Sequence, residues 1–153
     1  MKKTYDDLLR RGMLTELAEP GLDQARRLIR RARIELSTGK KLLEHDEPAA
    51  MDMVYKAQFH AANALLRIQG YRPGALRQHE GVIEAIRRSI GEEHDLCILA
   101  FDRLRKRRNQ FEYQAIYAMS GDELRAAIES ATRFVRAIGI ECKKSAPQAE
   151  FEF

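Results

Sequence analysis

Apolar residues recur every three or four positions through most of the chain, which is the spacing of amphipathic α-helices. No segment alternates apolar and polar residues as a half-buried strand would. The helical segments are residues 4–18, 22–43, 49–69, 79–90, 93–118 and 120–139. Because the connections are short, the pattern predicts an all-α fold, an antiparallel up-and-down bundle of four to five helices.

Capping and helix-breaking residues set the expected ends of these helices. Thr4 is the expected N-cap of the first helix, Pro48 fits the first turn of the third, and Gly70 ends the third. The last helix opens with a capping box in which Ser120 pairs with Glu123, and it is expected to end at Gly139. We therefore expect one domain over residues 1–140 and a flexible tail over 141–153, in which Phe151 and Phe153 are able to dock.

The predicted third helix is apolar on two opposite sides. One side carries Val54, Ala57, Ala61, Ala64 and Ile68, and the other carries Tyr55, Phe59, Ala62 and Leu66. A helix of this kind is either central in its bundle or shared between the core and a partner chain. We expect a homodimer because the helix has more apolar surface than one bundle needs.

The predicted fifth helix contains the one local conflict in the chain. Its apolar stripe is formed by Cys97, Ala100, Leu104, Phe111 and Ala115, and Arg108 lies in the middle of that stripe. A buried arginine is costly unless it is paired or lines a cleft or an interface. Two interpretations stay open: an ion pair with Glu112 one turn further on, or a functional role.

Composition narrows the class of protein. The chain has 153 residues, 44% of them apolar and 33% charged, as expected of a folded helical domain. The net charge of +4 permits nucleic acid as a partner without demanding it. With no apolar run long enough to span a membrane and no signal-peptide core, we expect a cytoplasmic protein without membrane contacts.

Common catalytic and metal-binding motifs are missing from the sequence. It contains no P-loop, no GxGxxG, no HExxH and no Ser-His-Asp context. His45 lies among acidic residues at a helix end, but too few of these side chains share a face to bind zinc. We therefore expect neither a metal nor a cofactor, and we expect Cys97 and Cys142 to be free thiols.

Three segments of the chain, in this order, are similar to motifs of one known protein family. The first is VYKAQFHAANALLRIQGYRP, which is similar to the helix YYAMFHAARALLxxxGxxP of one branch of that family. The second, QHEGVIEAI, is similar to a THSGV segment through His79, Gly81 and Val82. The third, LRKRRNQFEY, resembles an Arg-x(4)-Tyr element through Arg108 and Tyr113. Over about residues 22–135 the chain thus resembles the HEPN family, the helical bundles of prokaryotic toxin–antitoxin and nucleotidyltransferase-associated proteins.

The resemblance implies a homodimer with a polar motif in the cleft between its two copies. Ribonucleases of the family cleave RNA without metal, using an Arg-x(4–6)-His motif. Arg108 and Asn109 match its first two positions, but Tyr113 stands where the histidine is expected. A tyrosine with a pKa near 10 does not readily exchange protons at neutral pH, although it still donates hydrogen bonds and stacks on bases. An ideal helix turns about 500° over five residues, so Tyr113 points about 140° away from Arg108.

These observations favour a non-enzymatic module that binds RNA or a nucleotide, or a nucleotidyltransferase-type partner of a toxin–antitoxin-like system. The expected binding residues are Arg108, Asn109, Glu112, Tyr113, His79 and His60. His60 lies beside an apolar face, where a histidine is more commonly a hydrogen-bonded core residue than a ligand. Two alternatives stay open: an endoribonuclease toxin that uses Arg108, Asn109 and Tyr113, and a structural scaffold. The sequence leaves enzymatic activity undecided.

Overall fold

The computed structural model describes residues 4–149 and 151, which form a helical bundle with one small sheet. The helices are α1 Asp6–Arg10, α2 Leu22–Leu42, α3 Glu47–Gln69, α4 Gln78–Ser89, α5 Asp95–Gln114 and α6 Gly121–Ser145, with a 3₁₀ turn at Glu92–His94. Strands β1 Leu14–Glu16 and β2 Tyr71–Pro73 pair antiparallel. The all-α bundle predicted from the sequence is confirmed.

Helix α3 lies at the centre of the bundle, and α2, α4, α5 and α6 pack around it. Val54 and Tyr55, from its two apolar sides, are both at most 1% exposed. The packing against α2 is close, since a Cβ on Gly39 would lie 2.7 Å from Cγ2 of Val54. Most of both apolar sides is therefore covered by the chain's own helices, with Phe59 left partly exposed, so the apolar surface that suggested a dimer is largely buried within one chain.

The predicted position of Pro48 in α3, the end of α3 at Gly70 and the capping box of α6 are confirmed. The N-cap of α3 is Asp46, whose carboxylate accepts a hydrogen bond from the backbone N–H of Ala49 at 3.1 Å, and Pro48 lies in the first turn. Gly70 ends α3 with a φ of 94°, in the left-handed region that favours glycine. The capping box between Ser120 and Glu123 opens α6.

The prediction of a first helix over residues 4–18 is wrong over most of that range. Helix α1 ends at Arg10, and Gly12 follows with a φ of 72°, after which Leu14–Glu16 form β1. Three residues are too few to show a strand alternation, so the sequence pattern did not predict either strand. Thr4 is not the cap: Tyr5 occupies that position, and its hydroxyl donates a hydrogen bond to Oε1 of Gln69 at 2.9 Å.

The last helix continues through Gly139 and ends at Ser145. A glycine ends a helix by adopting positive φ, and Gly139 does not do so. Ile138 and Cys142, four residues apart, are both fully buried, so packing continues the helix over residues that we predicted to lie beyond it. Phe151 is 8% exposed, and Phe153 lies outside the described residues. No helix among the described residues is long and apolar enough to cross a membrane.

Candidate functional site

Arg108 lies on the side of α5 that faces α3, and its side chain is 22% exposed. Its Nε donates a hydrogen bond to Oδ1 of Asp52 at 2.8 Å. Its guanidinium carbon lies 5.3 Å from the centre of the Tyr55 ring, which is the geometry of a cation–π contact. The terminal nitrogens Nη1 and Nη2 make no hydrogen bond to any described residue. The guanidinium is therefore fixed at one edge and available at the other.

The partner of Arg108 is Asp52 of α3, so the predicted ion pair with Glu112 is wrong. Asp52 also pairs with Nζ of Lys56 at 2.8 Å, so two cations share one carboxylate. Burial raises the pKa of Asp52, but hydrogen bonds and charge from Lys56 and Arg108 together hold it below its usual value. Asp52 is consequently ionised at neutral pH. Glu112 is exposed.

His79 joins the same cluster from the N-terminal end of α4. The hydroxyl of Tyr55 and Nδ1 of His79 lie 2.8 Å apart and share a hydrogen bond whose direction depends on the histidine tautomer. The His79 ring stacks on Phe59, with 4.4 Å between ring centres. Burial, and then the charges of Arg108 and Arg105, lower the pKa of His79. Its imidazole is therefore neutral at pH 7.

Tyr55 stays protonated at the centre of the cluster. It is 1% exposed, and burial raises the pKa of its hydroxyl more strongly than the charges of Arg108 and Arg105 lower it. Its ring also packs against Phe101 of α5, with 5.4 Å between ring centres. Tyr55 thus positions both the guanidinium of Arg108 and the imidazole of His79.

The other predicted site residues do not join this cluster. Tyr113 is 84% exposed and points into solvent, as the helix geometry predicts. Asn109 is partly exposed and makes no hydrogen bond to a described residue. His60 shares a hydrogen bond with Oε1 of Glu35 on α2 at 2.6 Å. Within one chain, the structure therefore brings together Arg108 and His79, and places Asn109, Tyr113 and His60 elsewhere.

Sequence reasoning missed Asp52, Tyr55 and Lys56 as members of the site. A signal for two of them was present, since Asp52 and Lys56 are the only Asp, Glu, Lys or Arg residues between Glu47 and Arg67 of the largely apolar α3. Two opposite charges four residues apart on a buried helix indicate a local polar site. Tyr55 has no such signal, because an aromatic residue on a core helix is ordinary.

Comparison with protein families gives one match. The model of the HEPN domain matches residues 25–142, which is more than half of the chain and includes Arg108, Asp52, Tyr55 and His79. This confirms the family resemblance, while the branch with the Arg-x(4)-Tyr element stays a prediction. No curated protein matches the chain. Among the described residues, no three His, Cys, Asp or Glu side chains are grouped closely enough to hold a metal ion.

Proposed function

Because the chain belongs to the HEPN domain family, we propose that it is a non-enzymatic module that binds a phosphate group of RNA or of a nucleotide at Arg108. The observation that supports this is the open edge of the guanidinium. Asp52 and Tyr55 fix Arg108 in place, and Nη1 and Nη2 are left without a described partner. A guanidinium fork of this kind matches the oxygens of a phosphate and forms short, charge-assisted hydrogen bonds with them.

The neighbouring aromatic side chains suit a nucleotide better than free phosphate. Phe59 and His79 are both partly exposed and stack on each other beside Tyr55. Bases stack on partly exposed rings of this kind in single-stranded nucleic-acid sites, whatever their identity. A phosphate bound to Arg108 and a base stacked near the Phe59 ring would together cover the surface around Tyr55.

The proposed module has no histidine at the motif position, and this favours binding over cleavage. Tyr113 occupies that position and is exposed on the far side of α5 from Arg108. Its hydroxyl is not placed to exchange a proton with a ligand held by the same chain.

The test is binding of fluorescently labelled single-stranded RNA, measured by fluorescence anisotropy at fixed salt. We expect Arg108→Ala to weaken binding about tenfold or more, which corresponds to about 1.4 kcal/mol. Arg30→Ala is the matched control, because Arg30 is exposed on α2 and forms no ion pair with a described residue. Equal affinity of wild type and Arg108→Ala would rule the proposal out.

A metal-independent endoribonuclease is the second candidate, and the position of His79 favours it. Its imidazole lies beside Arg108, is held neutral by burial, and its Nε2 has no described partner. A neutral histidine takes the proton of a ribose 2′-hydroxyl, and the 2′-oxygen attacks the adjacent phosphorus. The bond from phosphorus to the 5′-oxygen of the next nucleotide breaks, and that oxygen takes up a proton from water. The products are a 2′,3′-cyclic phosphate and a 5′-hydroxyl.

Cleavage of labelled RNA by purified variants distinguishes the two candidates. The ribonuclease predicts loss of cleavage in His79→Ala and in Arg108→Ala, with His45→Ala as the control at an exposed loop. The alternative ribonuclease that uses Arg108, Asn109 and Tyr113 also predicts loss of cleavage in Arg108→Ala, but it predicts loss in Tyr113→Phe and not in His79→Ala. Cleavage that survives in Arg108→Ala indicates a contaminating ribonuclease. If the wild-type protein does not cleave RNA, the result supports the binding module.

We also propose a homodimer, and its contact surface is the outward side of α5 rather than α3. Leu96, Leu99 and Tyr113 are 81%, 46% and 84% exposed and fall within an arc of about 100° on this helix. Arg103, Lys106 and Gln110 are exposed on the same arc between Leu99 and Tyr113, so this face is mixed in character. The proposal is therefore supported by the exposed pair of Leu96 and Leu99 and by the family membership. Light scattering at tens of micromolar tests this: Leu99→Glu should convert the dimer to a monomer, and a monomeric wild type contradicts it.

A nucleotidyltransferase-type partner, the other partner expected of a toxin–antitoxin-like pair, is proposed on the family membership alone. Co-expression with a nucleotidyltransferase encoded beside this chain, followed by co-purification, tests it. Separate elution of the two proteins contradicts this part of the proposal.

A further inference from the structure

A second charged cleft lies beside the Arg108 site, between α1, α4 and α5, with a volume of about 320 Å³. Its lining is rich in guanidinium groups, which come from three separate segments of the chain. The arginines are Arg11, Arg77, Arg87, Arg88 and Arg105. Such a concentration of planar hydrogen-bond donors around one cleft favours an oxyanion as its ligand.

The carboxylates in the cleft do not neutralise these arginines. Glu80, Glu84 and Asp102 oppose five arginines, which leaves a net charge of +2 among the lining residues. Asp7, outside the lining, pairs with Arg88 at 2.8 Å and reduces this to +1. The cleft is therefore electropositive even with every carboxylate counted.

Two of the arginines keep donors free for a ligand. Arg11 is exposed and forms no ion pair with a described residue. Arg105 is 15% exposed, and its Nε is held by Asp102 at 2.9 Å, whereas Nη1 lies 3.7 Å from Glu80, beyond hydrogen-bond distance. The carboxylates thus orient the Arg105 side chain but leave its terminal nitrogens able to donate hydrogen bonds to a ligand.

Arg77 has an unfavourable backbone conformation at the edge of this cleft. Its φ is 45°, in the left-handed region, which is unfavourable for a residue with a side chain. Its guanidinium contacts Glu80 on the cleft wall. A glycine would adopt this conformation without the cost, so the arginine at this position favours a role for its side chain.

The cleft adjoins the Arg108 site through Arg105. The two arginines are three residues apart on α5, a rise of about 4.5 Å along the helix. Both lower the pKa of His79, so both charges act on that one ring. A ligand that contacts Arg108 with one phosphate is therefore within reach of the cleft with the next.

We propose that the cleft is a second phosphate-binding site, and that the ligand is a single-stranded oligonucleotide whose neighbouring phosphates contact the cleft and Arg108. This rests on the proposed function, because Arg108 supplies the first contact. A mononucleotide fills only one of the two sites. The partly exposed Phe59–His79 stack beside the cluster suits an unpaired base and excludes one that is paired within a duplex.

The experiment measures binding of a labelled ten-nucleotide single-stranded RNA and of a nucleoside monophosphate over a series of salt concentrations. The variants are Arg11→Ala and Arg77→Gly, with Arg30→Ala as the control. Arg77→Gly removes the guanidinium and relieves the backbone, so loss of folding does not explain its effect. Each phosphate contact with single-stranded nucleic acid contributes about 0.7 to the slope of log K against log salt.

We expect each cleft variant to lower the slope for the ten-nucleotide RNA by about 0.7, while binding of the monophosphate is unchanged. Arg108→Ala should weaken both ligands. Wild-type slopes in both cleft variants, with Arg108→Ala still defective, would overturn the second site and leave the proposed function standing. If Arg108→Ala binds both ligands as tightly as the wild type, the proposed function itself is refuted. If a duplex of the same length binds as tightly as the single strand, the preference for a single strand is refuted.

Discussion

Replacing Arg108 with alanine separates a binding site from a structural ion pair. The substitution removes a hydrogen bond from Nε to Asp52 at 2.8 Å and a cation–π contact with Tyr55. If the pair were fully buried, breaking it would cost about 3–5 kcal/mol, because the remaining charge would have no partner. A scaffold held together by this pair predicts a loss of that size.

The structure predicts a smaller loss. Both side chains are about one quarter exposed, at 22% for Arg108 and 25% for Asp52, so water screens part of the interaction. Asp52 also keeps Lys56 at 2.8 Å after Arg108 is removed, so its carboxylate is not left unpaired. A charged hydrogen bond contributes about 1.5–3 kcal/mol and a cation–π contact about 0.5–1, and screening reduces their sum. We expect Arg108→Ala to lower the free energy of unfolding by about 1–2 kcal/mol.

Urea unfolding followed by circular dichroism at 222 nm measures this loss. A double-mutant cycle with Asp52→Asn isolates the pair itself, and we expect a coupling energy of about 1 kcal/mol. A loss above about 3 kcal/mol for Arg108→Ala, with a coupling energy to match, refutes the reasoning and favours the scaffold.

Three further outcomes follow from the structure. Ala115 ends α5 with a φ of 56°, so Ala115→Gly should raise the free energy of unfolding by about 1 kcal/mol in urea titrations. A Cβ on Gly39 would lie 2.7 Å from Val54 Cγ2, so Gly39→Ala should lower it by about 1–3 kcal/mol, measured in the same way. The pKa of His79 is lowered in the folded state, so the unfolded chain binds more protons than the folded chain once the pH falls below about 6.5, and stability decreases as the pH falls further. His79→Gln should flatten that part of the stability profile, and an unchanged slope contradicts the assignment.

The fold was largely predictable because its signals are local. Capping by Ser120 and Glu123, and the left-handed end at Gly70, depend on residues within one turn, so both are visible in the sequence. The predictions were wrong where contacts between residues far apart in the sequence determine the structure. Packing of Ile138 and Cys142 carries α6 past Gly139, and the pairing of β1 with β2 joins strands more than fifty residues apart. Neither contact has a periodic signal.

The site was predictable in part, for the same reason. Arg108 is identified by its own helix, because a charge in the middle of an apolar stripe is a local conflict. Its partner is not identifiable in that way, since the spacing rule for ion pairs considers one helix and therefore selects Glu112. The carboxylate that resolves the conflict comes from Asp52 on α3, and only the packing of α5 against α3 brings the two together.

The arrangement around Asp52 also explains why the positive charge of Arg108 is only partly compensated within the chain. One carboxylate lies between two cations, Arg108 and Lys56, so the three groups together keep a charge of +1 in a partly buried place. If Arg108 were only structural, a second acceptor at its open edge would be expected, because the donors of a partly buried guanidinium are more stable when all of them are hydrogen-bonded. An arriving phosphate supplies the missing negative charge and fills the hydrogen-bonding edge that Asp52 leaves open. The surplus charge therefore disfavours a purely structural role and favours an anionic ligand.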